Sequence, residues 1–154
     1  MNLDEPPARD FLAGAMVARI ATLSRKGEPH ITPLWFVRDR GRIYMTTREA
    51  SPVVRNVLRT PAVVLLFDSE QPHLAGSILR LRGRAVFRKG RGIMWRTLLR
   101  QLPKYRLSPG AVRNLLAHHR RFFAMARYYA ERGGESGVIE VLPESAELLP
   151  RNPA

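Results

Sequence analysis

Residues Glu28–Pro61, EPHITPLWFVRDRGRIYMTTREASPVVRNVLRTP, hold two apolar runs, Ile31–Val37 and Arg42–Thr47, separated by Arg38-Asp39-Arg40-Gly41. A short charged spacer ending in glycine, which takes positive φ without steric cost, predicts a β-hairpin here. Two hydroxyls, Thr46 and Thr47, close the second run, and Ser51-Pro52 then opens a short amphipathic segment with Arg55 and Asn56 on its first turns. Serine before proline is a good helix start, because the proline's missing N–H would be unpaired at that position anyway. Free N–H groups at such a start, beside hydroxyls and an arginine, make a place where a phosphate can sit.

Upstream, Arg9–Ala15 reads as a short helix with Phe11, Leu12 and Ala15 on one face, closing one end of a barrel. Met16–Ser24 alternates as a first strand that is mostly apolar on both sides, so it is expected to be largely buried. Arg19 is the exception in it and must reach solvent, an acid or a ligand phosphate. Pro29–Val37 is expected as one second strand, with Pro33 marking a bulge or a sheet edge because it cannot donate to the ladder. Trp35 and Phe36 then point to opposite faces. His30 has no partner at metal-ligand spacing and reads as structural.

Downstream, Pro52–Arg59 is a helix stopped by Thr60-Pro61, and Ala62–Asp68 is an interior strand. Ser69–Ala75 is a loop. Gly76–Lys89 is a long strand with Leu79, Leu81, Gly83, Ala85 and Phe87 on one side and Ile78, Arg80, Arg82 and Arg84 on the other. Gly83 marks a bulge or a close backbone approach, and the arginine row reads as a solvated face ahead of a binding groove. Residues 91–132 form a helical insert: one helix runs to Pro103, with Ile93, Trp95, Leu98, Leu99 and Leu102 near helical spacing, and a second starts at Ser108-Pro109 and reaches Tyr129. Its apolar content reads as core or subunit contact. Gly137–Leu142 is a final short strand, and Pro143–Ala154 is a surface tail. The fold class is therefore α+β: a six-stranded, mostly antiparallel barrel with helices, in one domain spanning 1–154.

With 154 residues and no cysteine, the chain can bury a core unaided, while thiolate chemistry and cysteine metal sites are excluded. The acidic, proline-containing start and the lack of any long apolar run imply a soluble, cytoplasmic protein with no membrane partner. The net charge of +13 comes almost wholly from arginines spread along the chain. That spread reads as a chain-wide preference for arginine, with nucleic-acid binding ranked behind it because no recognition motif accompanies the charge.

No nucleophilic triad, HExxH zinc site, GxGxxG fingerprint or Walker loop is present, and no carboxylate pair can be nominated. No catalytic side chain and no metal site is assigned, so the chemistry falls to a bound cofactor. At this point the blocks ARIATLS, GEPHITPLWFV, GRIYMTT, SPVVRN-x-x-RTPAVVLLFD and LRGRAV, from Val17 to about Phe87, resemble the split β-barrel flavoproteins related to pyridoxamine 5′-phosphate oxidase. The closer similarity is to the flavin/deazaflavin oxidoreductase branch, which uses coenzyme F420, FMN or sometimes haem or biliverdin. The resemblance implies a split barrel, a homodimer and two cofactor sites across the subunit interface. It implies ring contacts from Pro33, Leu34 and Trp35, a ribityl chain flanked by Met45, Thr46 and Thr47, and phosphate held by Ser51, Arg55 and Asn56, with Arg19 near the same cofactor.

The chain departs from this pattern at Val53, where the family commonly has a basic residue, and at Pro52 before it. Each lost charged hydrogen bond to phosphate costs about 1.5–3 kcal/mol, which Arg55, Arg48 or a partner's arginine would have to offset. The leading expectation is an oxidoreductase that binds FMN or F420 at a dimer interface and passes a hydride to or from a small organic substrate. The alternative is a non-catalytic cofactor carrier or haem-binding protein of the same fold.

Overall fold

A computed structural model of the protein describes residues 3–69, 76–106 and 135–150. The hairpin forms where the sequence places it, but its first strand is short: Phe36–Asp39 (β3) pairs antiparallel with Arg42–Arg48 (β4), from Phe36↔Met45 to Asp39↔Arg42. Arg40 and Gly41 turn the chain with φ of 48° and 68°, the two positive values that a two-residue hairpin turn matched to strand twist requires.

The expected single strand from Pro29 to Val37 is in fact two. Pro29–Leu34 (β2) pairs only with Ala18–Leu23 (β1), and Trp35 separates it from β3. Pro33 sits opposite Arg19 on this edge strand, where its missing donor disturbs no second neighbour. Ala62–Asp68 (β5) lies on the other side of β1, Ser77–Arg88 (β6) follows, and Ser136–Pro150 (β7) joins β6 to β4. The order is β2-β1-β5-β6-β7-β4-β3, every pairing antiparallel. Because the two edge strands are joined through Trp35 alone, the sheet has to curl until its margins approach, which gives a half-closed barrel.

Seven strands replace the expected six because the run from Pro29 divides into β2 and β3, and the last strand is also longer than expected. Residues 143–150, expected to run over the surface, pair with β6 as far as Ser77↔Pro150. Gly83 explains how Pro143 is accommodated: the register slips between Arg82 and Gly83, and Gly83 stands opposite Pro143. A Cβ at Gly83 would lie 2.3 Å from the Leu142 carbonyl oxygen, so both the bulge and the close backbone approach are present. β1 is half-buried, with Ala18, Ile20 and Thr22 inside and Arg19 and Leu23 exposed, so the expectation of two buried faces does not hold for the single chain.

Helix Pro6–Gly14 (α1) buries Ala8, Phe11 and Leu12, and helix Pro52–Arg59 (α2) buries Val53, Val54 and Val57 against the same core. Phe36 and Phe67 meet edge to face at its centre, 4.8 Å between ring centroids. Helix Arg91–Arg106 (α3) continues past Pro103 instead of stopping there. It also lies the opposite way from its apolar stripe. Trp95 and Leu99 are 63% and 58% exposed, whereas Thr97 and Gln101 are buried. Ion pairs hold it: Arg96 and Arg100 converge on the buried carboxylate of Asp39 at 2.8 and 2.5 Å. The expected second helix of the insert and most of the Ser69–Ala75 loop lie outside the described residues.

Candidate functional site

The end of β4 and the start of α2 make a polar corner. Ser51 takes the extended conformation of an N-cap, φ −69° and ψ 147°, with Pro52 as the first helical residue, yet its hydroxyl caps no N–H of the helix. That hydroxyl instead meets the Thr47 hydroxyl at 3.2 Å, and the Arg55 guanidinium is anchored to the Ala50 carbonyl at 3.2 Å. Two adjacent hydroxyls, a helix start and an exposed guanidinium are complementary to a phosphate. Val53 is wholly buried in the core, so it brings no charge to this corner, and Arg55 has to supply it.

Pro33 and Trp35 are exposed at the end of β2, and Arg19 lies directly across from Pro33. Trp35 precedes the Phe36↔Met45 pair by one residue, which brings the β2–β3 junction beside the Thr46–Thr47 end of β4. Pro33 and Trp35 thus give an exposed proline and indole surface at that junction. Three of the expected residues have other duties. Met45 is fully buried, so its side chain belongs to the core. Asn56 is also buried and donates to the Thr22 hydroxyl at 3.0 Å, tying α2 to β1. Arg19 reaches an acid, Asp68 on β5. Leu34 is partly buried against the core, and Thr46 accepts from Gln101 of α3 at 3.4 Å.

The structure also gathers groups that sequence spacing could not connect. Glu140 of β7 is 3% exposed and accepts from Arg42 at 2.5 Å, from Tyr44 at 3.3 Å and from Arg88. Burial pushes its carboxyl up, but the hydrogen bonds and charges of Arg42 and Arg88 outweigh this and hold it below the ordinary value. The Tyr44 hydroxyl is pushed up by burial and by Glu140. A cleft of about 70 Å³ beside this cluster is lined by Asp39, Tyr44, Thr97 and Glu140, among others. A larger cleft, about 420 Å³, opens between α1, β3 and α3 and includes Lys104. Neither is lined by the residues of the Thr47–Ser51 corner, which lies open on the surface of the single chain.

A family profile described as pyridoxamine 5′-phosphate oxidase matches residues 5–147. Among solved structures, a conserved hypothetical protein from Mycobacterium tuberculosis superposes with a TM-score of 0.69 at 16% identity, over 96% of this chain and 85% of that one. An F420 reductase gives 0.62 at 17% identity over 90% and 94%, and a heme binding protein from Mycobacterium smegmatis gives 0.62 at 16% over 92% and 51%. At these identities the likeness is one of fold. No curated protein sequence matches the chain significantly. Among the described residues, no helix is long and apolar enough to cross a membrane.

Proposed function

The chain belongs to the pyridoxamine 5′-phosphate oxidase family, and from that premise we propose that it is an oxidoreductase holding FMN or coenzyme F420 at the interface of a homodimer. The observation that carries this reading is the meeting of Thr47 and Ser51 at 3.2 Å on the threshold of α2, next to Arg55. In it, the two hydroxyls and Arg55 hold the phosphate, while Pro33 and Trp35 support one face of the tricyclic ring. The bound ring would supply the hydride chemistry. The chain's own residues orient the ring and exclude water, and they act without a side-chain nucleophile.

The outer surface of the β1–β2 edge supports the dimeric part of the reading. Ala21 pairs with Ile31 there, and Leu23, Ile31 and Trp35 are 43%, 58% and 45% exposed, an apolar surface suited to a second copy. The substrate is then a small organic molecule that reaches the ring from the interface.

Titration of the purified protein with FMN and with F420, followed by fluorescence, tests the reading. One cofactor should bind in proportion to one site per chain. Arg55→Ala should weaken it by the loss of a charged hydrogen bond, about 1.5–3 kcal/mol. Sedimentation should report a dimer. Failure of both cofactors to bind would overturn the proposal.

A further inference from the structure

The larger cleft, between α1, β3 and α3, has an unusual lining. Four cations, Arg9, Arg38, Arg100 and Lys104, share it with apolar side chains including Leu12 and Leu99, and among the described residues no carboxylate lines it. Each of the three guanidinium groups is paired with a carboxylate that is not among the lining residues. Asp10 holds Arg9 at 3.2 Å, Asp39 holds Arg100 at 2.5 Å, and Asp4 holds Arg38. A guanidinium has five N–H donors in a fixed fork, so pairing with one acid leaves donors for a ligand. Lys104 completes the lining: its Nζ donates to the Leu12 carbonyl at 3.0 Å and lies 3.6 Å from the centre of the Phe36 ring.

We propose that this cleft binds a small organic anion, its one- or two-ring apolar body against Leu12 and Leu99 and its carboxylate or phosphate head among Arg9, Arg38, Arg100 and Lys104. The volume of about 420 Å³ is that of a ligand pocket and exceeds what an inorganic ion needs. The site is separate from the Thr47–Ser51 corner and does not rest on the cofactor reading.

The site is also gated by protons. Burial lowers the Lys104 ammonium to about 7, so its charge is gained or lost near neutrality. Among the described residues, the other charged groups of the cleft are Arg9 on α1, Arg38 on β3 and Arg100 on α3. A bound anion favours the ammonium, and by reciprocity the ammonium favours the anion. If the charged form alone binds, affinity falls about tenfold between pH 6 and pH 8.

Calorimetric titration with 2-naphthoate, fully ionised at both pH values, tests the site, with 2-naphthalenemethanol as the neutral isostere and 2-naphthyl phosphate at pH 8 to distinguish the two heads. Naphthoate should bind once per chain, about tenfold more tightly at pH 6, and the alcohol far more weakly. Arg38→Ala should weaken binding at both pH values. Lys104→Arg should keep binding tight and independent of pH, and Lys104→Met should leave it weak at both, while Arg55→Ala changes nothing. Absence of naphthoate binding, equal binding of acid and alcohol, or indifference to Arg38 and Lys104 would overturn the site. Equal affinity at pH 6 and pH 8 in the unaltered protein would overturn the gating.

Discussion

Replacing Gly83 with alanine would add a single carbon at the tightest point between β6 and β7. That carbon would lie 2.3 Å from the Leu142 oxygen, 3.1 Å from the Leu142 carbonyl carbon and 3.2 Å from the Pro143 Cα. An ordinary C···O approach is about 3.3 Å, so the strands would have to part by about 1 Å. All three contacts are backbone, and none can swing aside as a flexible side chain would. Overpacking costs about 1–3 kcal/mol, and this site belongs in the upper part of that range. Against it, alanine in a strand recovers about 0.5–1 kcal/mol of glycine's excess chain entropy. The expected net loss is about 1–2.5 kcal/mol, or roughly 2–10 °C in the melting temperature of a domain this size. Gly92, with open space around it in the first turn of α3, provides the control: Gly92→Ala should gain about 0.4–1 kcal/mol. Melting followed by circular dichroism decides the matter. If Gly83→Ala melts at or above the unaltered protein while Gly92→Ala behaves as expected, the close approach is not what fixes this bulge.

Glu140 should give the protein part of its acid sensitivity. Its folded pKa lies below the unfolded value, so its contribution is fully present above about pH 4.3 and is lost as pH falls through the folded value. Urea midpoints measured from pH 7 down to pH 3 should therefore fall less steeply in Glu140→Gln, which should be the weaker protein at pH 7. Asn56→Ala should cost about 1–3 kcal/mol in chemical denaturation, because it leaves the buried Thr22 hydroxyl without its donor. Asn56→Leu combined with Thr22→Val should recover most of that loss.

Wherever a local rule decided the geometry, the sequence was readable. Ser51-Pro52 and Thr60-Pro61 bracket α2 at the observed residues, and the alternation around Gly83 located both the face and the bulge. The failures come where distant partners decide. Trp35 breaks a run that looks continuous, because the barrel has to turn a corner there. Pro143 reads as the end of a strand, but the bulge opposite Gly83 accommodates it, and beyond it β7 pairs only with β6 as an edge. α3 follows its polar side because Asp39, distant in sequence, offers Arg96 and Arg100 a buried carboxylate. Of the candidate site, the Thr47–Ser51–Arg55 corner lies within a few residues of chain and was legible. The 420 Å³ cleft draws on three separate elements and was not.

The position of β7 has a consequence for how the molecule is made. Until that strand leaves the ribosome, the β3–β4 hairpin has no neighbour on the β4 side, since Thr46 and Val138 are partners across most of the sequence. The nascent chain therefore carries an open ladder of N–H and C=O groups through the synthesis of everything between β4 and β7. Closure is a late, long-range event, and the interval before it is when wrong pairing between neighbouring polypeptides is most to be expected.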